Sequence, residues 1–226
     1  MTTAAPRELV IYGGGGHARE AVDLVRALNA VRPTFTLLGH LDDDAARHGT
    51  TVGDLPVLGG AAWLAERPAP APAVFLGLGA NAVRRRVADR LHALDVEFAT
   101  LVHPSAVVAA DATLGPGALV AAGAVVSVAV RVGAHAHVNV GATVSHDVAL
   151  APFTHVAPGA HLAGNVHVDE GADVGIGAAV IQGRRLGAWS VVGAGAAVVR
   201  DVPPNAVAVG VPARVARVRA DGWQLA

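Results

Sequence analysis

The sequence has no cysteine among its 226 residues. A disulfide scaffold, a thiolate metal site and thiol nucleophile chemistry are therefore all excluded. This absence fits a cytoplasmic protein, and we expect one. An excess of charge of one sign is also missing. Lys and Arg number 17 against 18 Asp and Glu, a net charge of −1. No field is set up to gather nucleic acid or anionic lipid, so neither is an expected partner. Met1–Arg7 lacks the long apolar core of a signal peptide. The uncharged stretch Ala112–Val130 is long enough to span a bilayer. It contains Gly115, Pro116, Gly117 and Gly123, however, and a six-residue phase runs through it unchanged. A membrane helix has no reason to keep that phase.

Composition changes near residue 100. Before it, Leu9–Tyr12, Phe35–Leu41 and Ala73–Leu78 read as strands. Helices are expected over His17–Leu28 and over Asn81–Leu94, the second with Val83, Val87, Leu91 and Leu94 at helical spacing. A Pro/Ala-rich linker, Pro68–Pro72, precedes the third strand. Strands alternating with helices predict a small parallel α/β domain of Rossmann-like type over residues 1–100.

After residue 100 helical periodicity disappears. Every sixth residue from Val102 to Val198 is Val or Leu, 17 positions without a miss. Neither 3.6 nor 2 predicts that period, whereas a β-helix built of hexapeptides does. Two residues before these positions the side chain is usually small, as at Ala118, Ala124, Ala136, Ala142, Ala160 and Ala172. Three faces of six residues make a coil of 18, so the run holds roughly five to six coils about 4.8 Å apart. We assign residues 101–202 to this solenoid and 203–226 to a tail. Solenoids need capped ends. The first domain is expected to cover one and the tail the other.

The motifs Leu9-Val-Ile-Tyr-Gly-Gly-Gly-Gly-His-Ala18, His40-Leu-Asp-Asp-Asp44 and Gly77-Leu-Gly-Ala-Asn81 occur in that order. The hexapeptide run follows with Asn139, Ser145-His-Asp147 and His155, and then Val209-Gly-Val-Pro-Ala-Arg214. Together they resemble the PglD/NeuD-type sugar acyltransferases, over nearly the whole chain. The resemblance implies a left-handed β-helix behind a nucleotide-sugar-binding domain. It also implies acetyl transfer from acetyl-CoA to a nucleotide-linked amino sugar, a UDP-linked 4-amino sugar first, and an assembly of three copies with sites between subunits. By resemblance, Gly15, Gly16, His17, Asp42, Asp43 and Gly79 hold the nucleotide sugar, and His155, Ile176 and Ala194 lie along acetyl-CoA. Arg214 and Arg217 are candidates for the CoA phosphates.

The residues themselves support part of this. Gly13–Gly16 falls between a strand and a helix, where backbone N–H groups and the helix N-terminus suit a phosphate. The alternative is a tight turn with nothing bound. A carboxylate after the second strand, at Asp42 and Asp43, can accept from ribose hydroxyls or a base N–H, whereas Asp44 reads as a solvated turn. Of the 11 histidines, His103 begins a turn before Pro104. His40, His48 and His92 are expected at the surface. His135, His137, His161 and His167 are expected at outward, structural or solvated positions of the repeat.

His146 stands apart because Asp147 follows it. Acyl transfer to an amine needs a base near neutral pH, and a carboxylate can orient such an imidazole. The family pattern has Glu where this chain has Asp147. His155 comes nine residues later, half a coil. With faces roughly 20 Å wide, His146 and His155 should lie on different sides of one coil and meet only across a subunit contact. Three alternatives remain. One is O-acetylation of a sugar or sialic acid. Another is a non-catalytic scaffold or sugar-binding protein. The last is a β-helix carbonic anhydrase with a histidine-bound metal, although the resemblance implies no metal.

Overall fold

A computed structural model describes residues 5–67 and 70–225. The first four residues and residues 68–69, the start of the expected linker, lie outside them. The chain forms two compact units, Met1–Pro104 and Ser105–Ala226.

The first unit runs β1 (Arg7–Tyr12), α1 (Gly16–Val31), β2 (Phe35–Leu41), β3 (Thr51–Val52), β4 (Leu55–Gly59), α2 (Ala62–Ala65), β5 (Ala73–Leu76), α3 (Asn81–His92) and a short strand at Leu101–Val102. Its sheet order is β3-β4-β2-β1-β5. β1 pairs in parallel with both β2 and β5, β4 in parallel with β2, and β3 in antiparallel with β4. Leu9–Tyr12 and Ala73–Leu76 are buried on both faces. This explains why they read as continuous apolar runs rather than alternating ones. The close seat of α1 on β5 requires Gly77, since a Cβ there would stand 2.7 Å from the Ala18 Cα.

The three expected strands and two helices are present, with small shifts at their ends. The β3–β4 hairpin and the short helix α2 carry too few residues to show a period. In α3 the expected stripe is rotated. Val83 and Leu94 are exposed, and the buried face is Asn81, Arg84, Val87, Ala88 and Leu91. A buried Arg84 hides half of that face from a hydrophobicity count. It is satisfied by the Leu78 carbonyl at 2.8 Å and Asn81 Oδ1 at 2.9 Å.

The second unit is a three-sided coil. Its first face stacks Val107–Val108, Val125–Val126, Thr143–Val144, His161–Leu162, Ala179–Val180 and Ala197–Val198 in parallel. The second stacks Thr113–Leu114, Arg131–Val132, Ala149–Leu150, His167–Val168 and Arg185–Leu186. The third stacks Leu119–Val120, His137–Val138, His155–Val156, Asp173–Val174 and Val191–Val192, and continues into Ala206–Val209. The 17 Val and Leu positions are each the second residue of a two-residue strand. From Val120 to Val198 all are buried. Each such side chain contributes about 1.5–3 kcal/mol relative to exposure, repeated at every face of every coil. The stretch Ala112–Val130 lies in these coils, and no helix among the described residues is long and apolar enough to cross a membrane.

The corners repeat as strictly as the faces. Every sixth residue from Gly117 to Gly195 has a positive φ. On the corner between the third and first faces all five are glycine: Gly123, Gly141, Gly159, Gly177 and Gly195. On the other two corners the position is shared with Ala129, His135, Asp147, Phe153, Asn165 and Trp189. A non-glycine residue in this region is uncommon. Three of these make a column with glycines between the second and third faces. The His135 ring lies over Gly117 and stacks on Phe153 at 5.1 Å, and the Trp189 ring lies over Gly171.

Two outward assignments in the repeat are corrected here: His135 and His137 are buried. His135 turns along the stack because its corner φ is +55°. His137 is outward in phase but lies on the least exposed face, beside the equally buried Leu119. His161 and His167 are exposed as expected.

The tail closes the C-terminal end. Arg214–Val218 pairs antiparallel with Ala206–Val209. Gly210 and Ala213 bond to the backbone of Ala197. Arg219 donates to the Trp189 carbonyl at 2.6 Å and covers the Trp223 ring, whose N–H donates to Asn205.

Candidate active site

Two groups of chemically useful residues emerge, one in each unit. In the first unit, a cleft of about 300 Å³ opens between the glycine loop and the end of β2, lined by Tyr12, Gly13, Gly14, Gly15, Asp42, Asp43 and Arg47 among others. Gly15 caps α1 without a side-chain bond, and nothing lies within 4 Å of a Cβ built at Gly15, Gly16 or Gly79. The backbone there is open to a ligand. His17 is the second residue of α1, with Nδ1 3.3 Å from Glu20.

The carboxylates after β2 are held in place. Arg47 donates to Asp42 at 2.8 Å and to the Gly14 carbonyl at 2.9 Å. A Cβ at Gly14 would stand 2.5 Å from that guanidinium. Asp43 accepts from the Tyr12 hydroxyl and from Arg90, the latter at 2.6 Å. Burial pushes the Asp43 carboxyl up, but the bonds from Tyr12 and Arg90 outweigh it and hold it below the ordinary range. Burial, then Asp43, pushes the Tyr12 hydroxyl well above its usual value. Asp44 instead caps a short turn by accepting from Ala46. His40 is fully buried rather than at the surface, because β2 is an interior strand. Its Nδ1–H donates to the Gly13 carbonyl at 2.8 Å and steadies the loop.

In the second unit, His146 and Asp147 form the corner between the first and second faces. The His146 Nδ1 lies 2.8 Å from Asp147 Oδ2. The bond places the ring proton on Nδ1 and leaves the Nε2 lone pair free, with about half the side chain exposed, 54%. Asp147 takes a φ of +59°, a conformation Asp tolerates better than most residues. Beneath the ring lies Gly164, one coil on.

His155 is on the third face, so within one chain a whole face separates it from His146. Ile176 and Ala194 sit one coil apart on the glycine corner, beside Gly177 and Gly195. Ile176 is 62% exposed. The glycine corner is bare, since a Cβ at any of its five glycines meets nothing within 4 Å. The structure thus gathers Gly15, Asp42 and Asp43 around one cleft, with Gly16 next to it as the first residue of α1, and His146 with Asp147 on one corner. His155, Ile176 and Ala194 fall on and beside another corner.

Sequence reading missed Tyr12, Arg47 and Arg90, whose bonds to Asp43, to the Gly14 carbonyl and to Asp43 respectively join residues far apart along the chain. It also missed Gly164 and Asp173. Those two lie 18 residues after His146 and His155, so counting one coil forward finds both.

Residues 8–91 match the PglD N-terminal domain family. A curated relative, UDP-N-acetylbacillosamine N-acetyltransferase of Bacillus subtilis, is 37% identical over 125 residues. That alignment spans about half of each protein, 51% of this chain and 52% of the relative. Solved structures match along the whole length. The acetyltransferase domain of PglB from Neisseria gonorrhoeae is 33% identical with a TM-score of 0.82, over 92% of this chain and 99% of that one. PerB from Caulobacter crescentus, in complex with CoA and GDP-perosamine, is 35% identical with a TM-score of 0.86, over 96% of this chain and 100% of that one. A histidine-to-alanine variant of the Caulobacter GDP-perosamine N-acetyltransferase, with the same two ligands, matches at 34% and 0.85, over 97% and 100%.

Fold and relatives together define the class: an α/β unit followed by a left-handed parallel β-helix of the acetyltransferase type. Within that class, the chain belongs to the PglD-type sugar acetyltransferases.

Proposed function

We propose that the protein transfers the acetyl group of acetyl-CoA to the amino group of a nucleotide-linked amino sugar, with His146 as general base. The observation that carries this reading is the His146 imidazole, held through Nδ1 by Asp147 with Nε2 open. As the sugar amine attacks the thioester carbonyl, a C–N bond forms and Nε2 takes the amine proton. A backbone N–H stabilises the oxyanion. The C–S bond then breaks, and CoA leaves as the thiolate and collects the proton. No covalent enzyme intermediate is needed.

The first unit holds the nucleotide. Its glycine loop and the N-terminus of α1 suit a diphosphate, and Arg47 supplies a cation beside them. Asp42 and Asp43 read the ribose or base, and Gly79 faces the same ligand. Acetyl-CoA runs along the bare glycine corner past Ile176 and Ala194, with His155 beside it. Since His146 and His155 stand on different sides of one coil, each site is built between copies in a homotrimer.

A UDP-linked 4-amino sugar is the first acceptor, in keeping with the bacillosamine relative. A GDP-linked sugar is the second reading, favoured by whole-length similarity to the protein solved with GDP-perosamine. The test is thiol release from acetyl-CoA against UDP- and GDP-linked amino sugars, with product mass and alkali lability to separate amide from ester. One acetyl added as an alkali-stable amide supports the reading. If no acceptor in the panel releases CoA, the reading is wrong.

A further inference from the structure

We propose that Asp173 is a positioning residue, which through His155 fixes the imidazole nitrogen that meets the acyl donor as a hydrogen-bond acceptor. The proposal rests on the acetyltransferase reading above. His155 and Asp173 are cross-strand neighbours on the third face, one coil apart. The His155 Nδ1 lies 3.2 Å from Asp173 Oδ1, and its Nε2 lies 3.2 Å from Asn139 Nδ2.

The orientation of Asn139 decides the protons. Its Oδ1 accepts the Val140 N–H at 2.7 Å, so the carbonyl end faces the backbone and the NH2 end faces His155. An NH2 group only donates, so Nε2 must accept. The single ring proton is then on Nδ1, where the Asp173 carboxylate receives it. Each bond requires the other, and the network assigns one tautomer. Arg219 of the tail also senses this carboxylate. Burial first and Arg217 second lower the Arg219 pKa, and Asp173 opposes them.

The two histidine–aspartate pairs of the coil therefore differ in kind. His146 keeps Nε2 open, and that pair suits a base. His155 has both nitrogens engaged in the free protein, and Nε2 presents a lone pair, not a proton, to the Asn139 amide, two residues before Gly141 of the glycine corner. That lone pair suits an amide N–H of the pantetheine arm of CoA, which takes the place of the Asn139 amide. It does not suit the thioester oxygen, which needs a donor.

The test combines ¹⁵N NMR of histidine-labelled protein with kinetics. In the wild type near neutral pH, the His155 signals, assigned with a His155→Gln control, are expected to show a protonated Nδ1 and a bare Nε2. Asp173→Asn leaves the Nδ1 proton with a neutral instead of a charged acceptor, which weakens the bond that holds the ring, and is expected to raise the KM for acetyl-CoA about tenfold, or about 1.4 kcal/mol. The kcat and the KM for the nucleotide sugar should stay within about twofold. Asp173→Glu should restore part of the affinity. A wild-type ring protonated on Nε2 overturns the proposal by itself, even if the variant fails to fold. An unchanged acetyl-CoA KM in Asp173→Asn, or a fall in kcat alone, also overturns it. Calorimetry separates the two levels. Wild-type protein that binds acetyl-CoA but carries the wrong tautomer sinks only this proposal. Protein that does not bind acetyl-CoA at all sinks the functional reading and the proposal with it.

Discussion

The His146 imidazole lies directly over Gly164, and a Cβ built on that glycine would stand 2.3 Å from the ring Cε1. Gly164 does not have a left-handed φ, so its backbone would accept alanine. The ring, rather than the turn, requires glycine here. Gly164→Ala should therefore leave the fold intact and push the imidazole off its seat. A misplacement of about 1 Å can cost about 10²-fold in rate. We expect a kcat loss of that order with the melting temperature nearly unchanged, read by steady-state kinetics and calorimetry. Full activity would show that the ring does not need this seat.

Removing the base itself should cost more. His146→Ala is expected to lower kcat by about 10²–10⁴-fold. Asp147→Asn keeps a residue that tolerates the positive φ while removing the charge. Its loss should be smaller, about tenfold. If Asp147→Asn matched His146→Ala, the carboxylate would be doing more than orienting the ring.

Arg47 reaches the glycine loop, donating to both Asp42 and the Gly14 carbonyl. Charge-assisted bonds to phosphate are strong and directional. Arg47→Ala should raise the KM for the nucleotide sugar about tenfold and leave that for acetyl-CoA alone. An equal rise in both would place its role in folding instead.

His40 links stability to pH. Burial lowers its pKa below the ordinary 6.5, with the Gly13 bond opposing. The unfolded chain thus takes up a proton at a higher pH than the folded one. Stability should fall as pH drops through about 6.5, the value at which the unfolded imidazole is half charged. Melting temperatures measured from pH 7.5 to pH 5 should decline less steeply in His40→Gln than in the wild type. Parallel curves would assign the acid loss to other groups.

Two glycines of the coil allow a matched comparison. Gly171 and Gly177 have the same φ within 2°, at +66° and +64°. A Cβ at Gly171 would stand 2.3 Å from the Trp189 ring, whereas at Gly177 it meets nothing. Gly177→Ala should cost about 1–2 kcal/mol, the left-handed penalty alone. Gly171→Ala adds overpacking of about 1–3 kcal/mol. Chemical denaturation of the two variants measures the difference directly.

The faces of the coil were legible because one residue in six answers to one demand. Val or Leu must fill the interior, and each position makes that demand without reference to the others. The glycine loop and the paired aspartates were legible for a similar reason, since a strand-to-helix turn is local. The apolar face of α3 was not, because Arg84 is buried by bonds to the loop before it. The burial of His40 was not legible either. A histidine at the end of a strand reads the same whether that strand lies at the edge or inside.

His146 illustrates the division. By itself, the sequence determined that this histidine precedes Asp147 at a corner of a six-residue repeat, and that His155 belongs to another side. Both follow from counting along the chain. Only the tertiary structure decided that His146 has an open Nε2 over Gly164, while His155 is clasped between Asn139 and Asp173. Those partners are a coil away, brought close by stacking. Asp147 flanks His146 in the sequence, but the seat of the His146 ring and both hydrogen bonds of His155 depend on what the neighbouring coils place beside them.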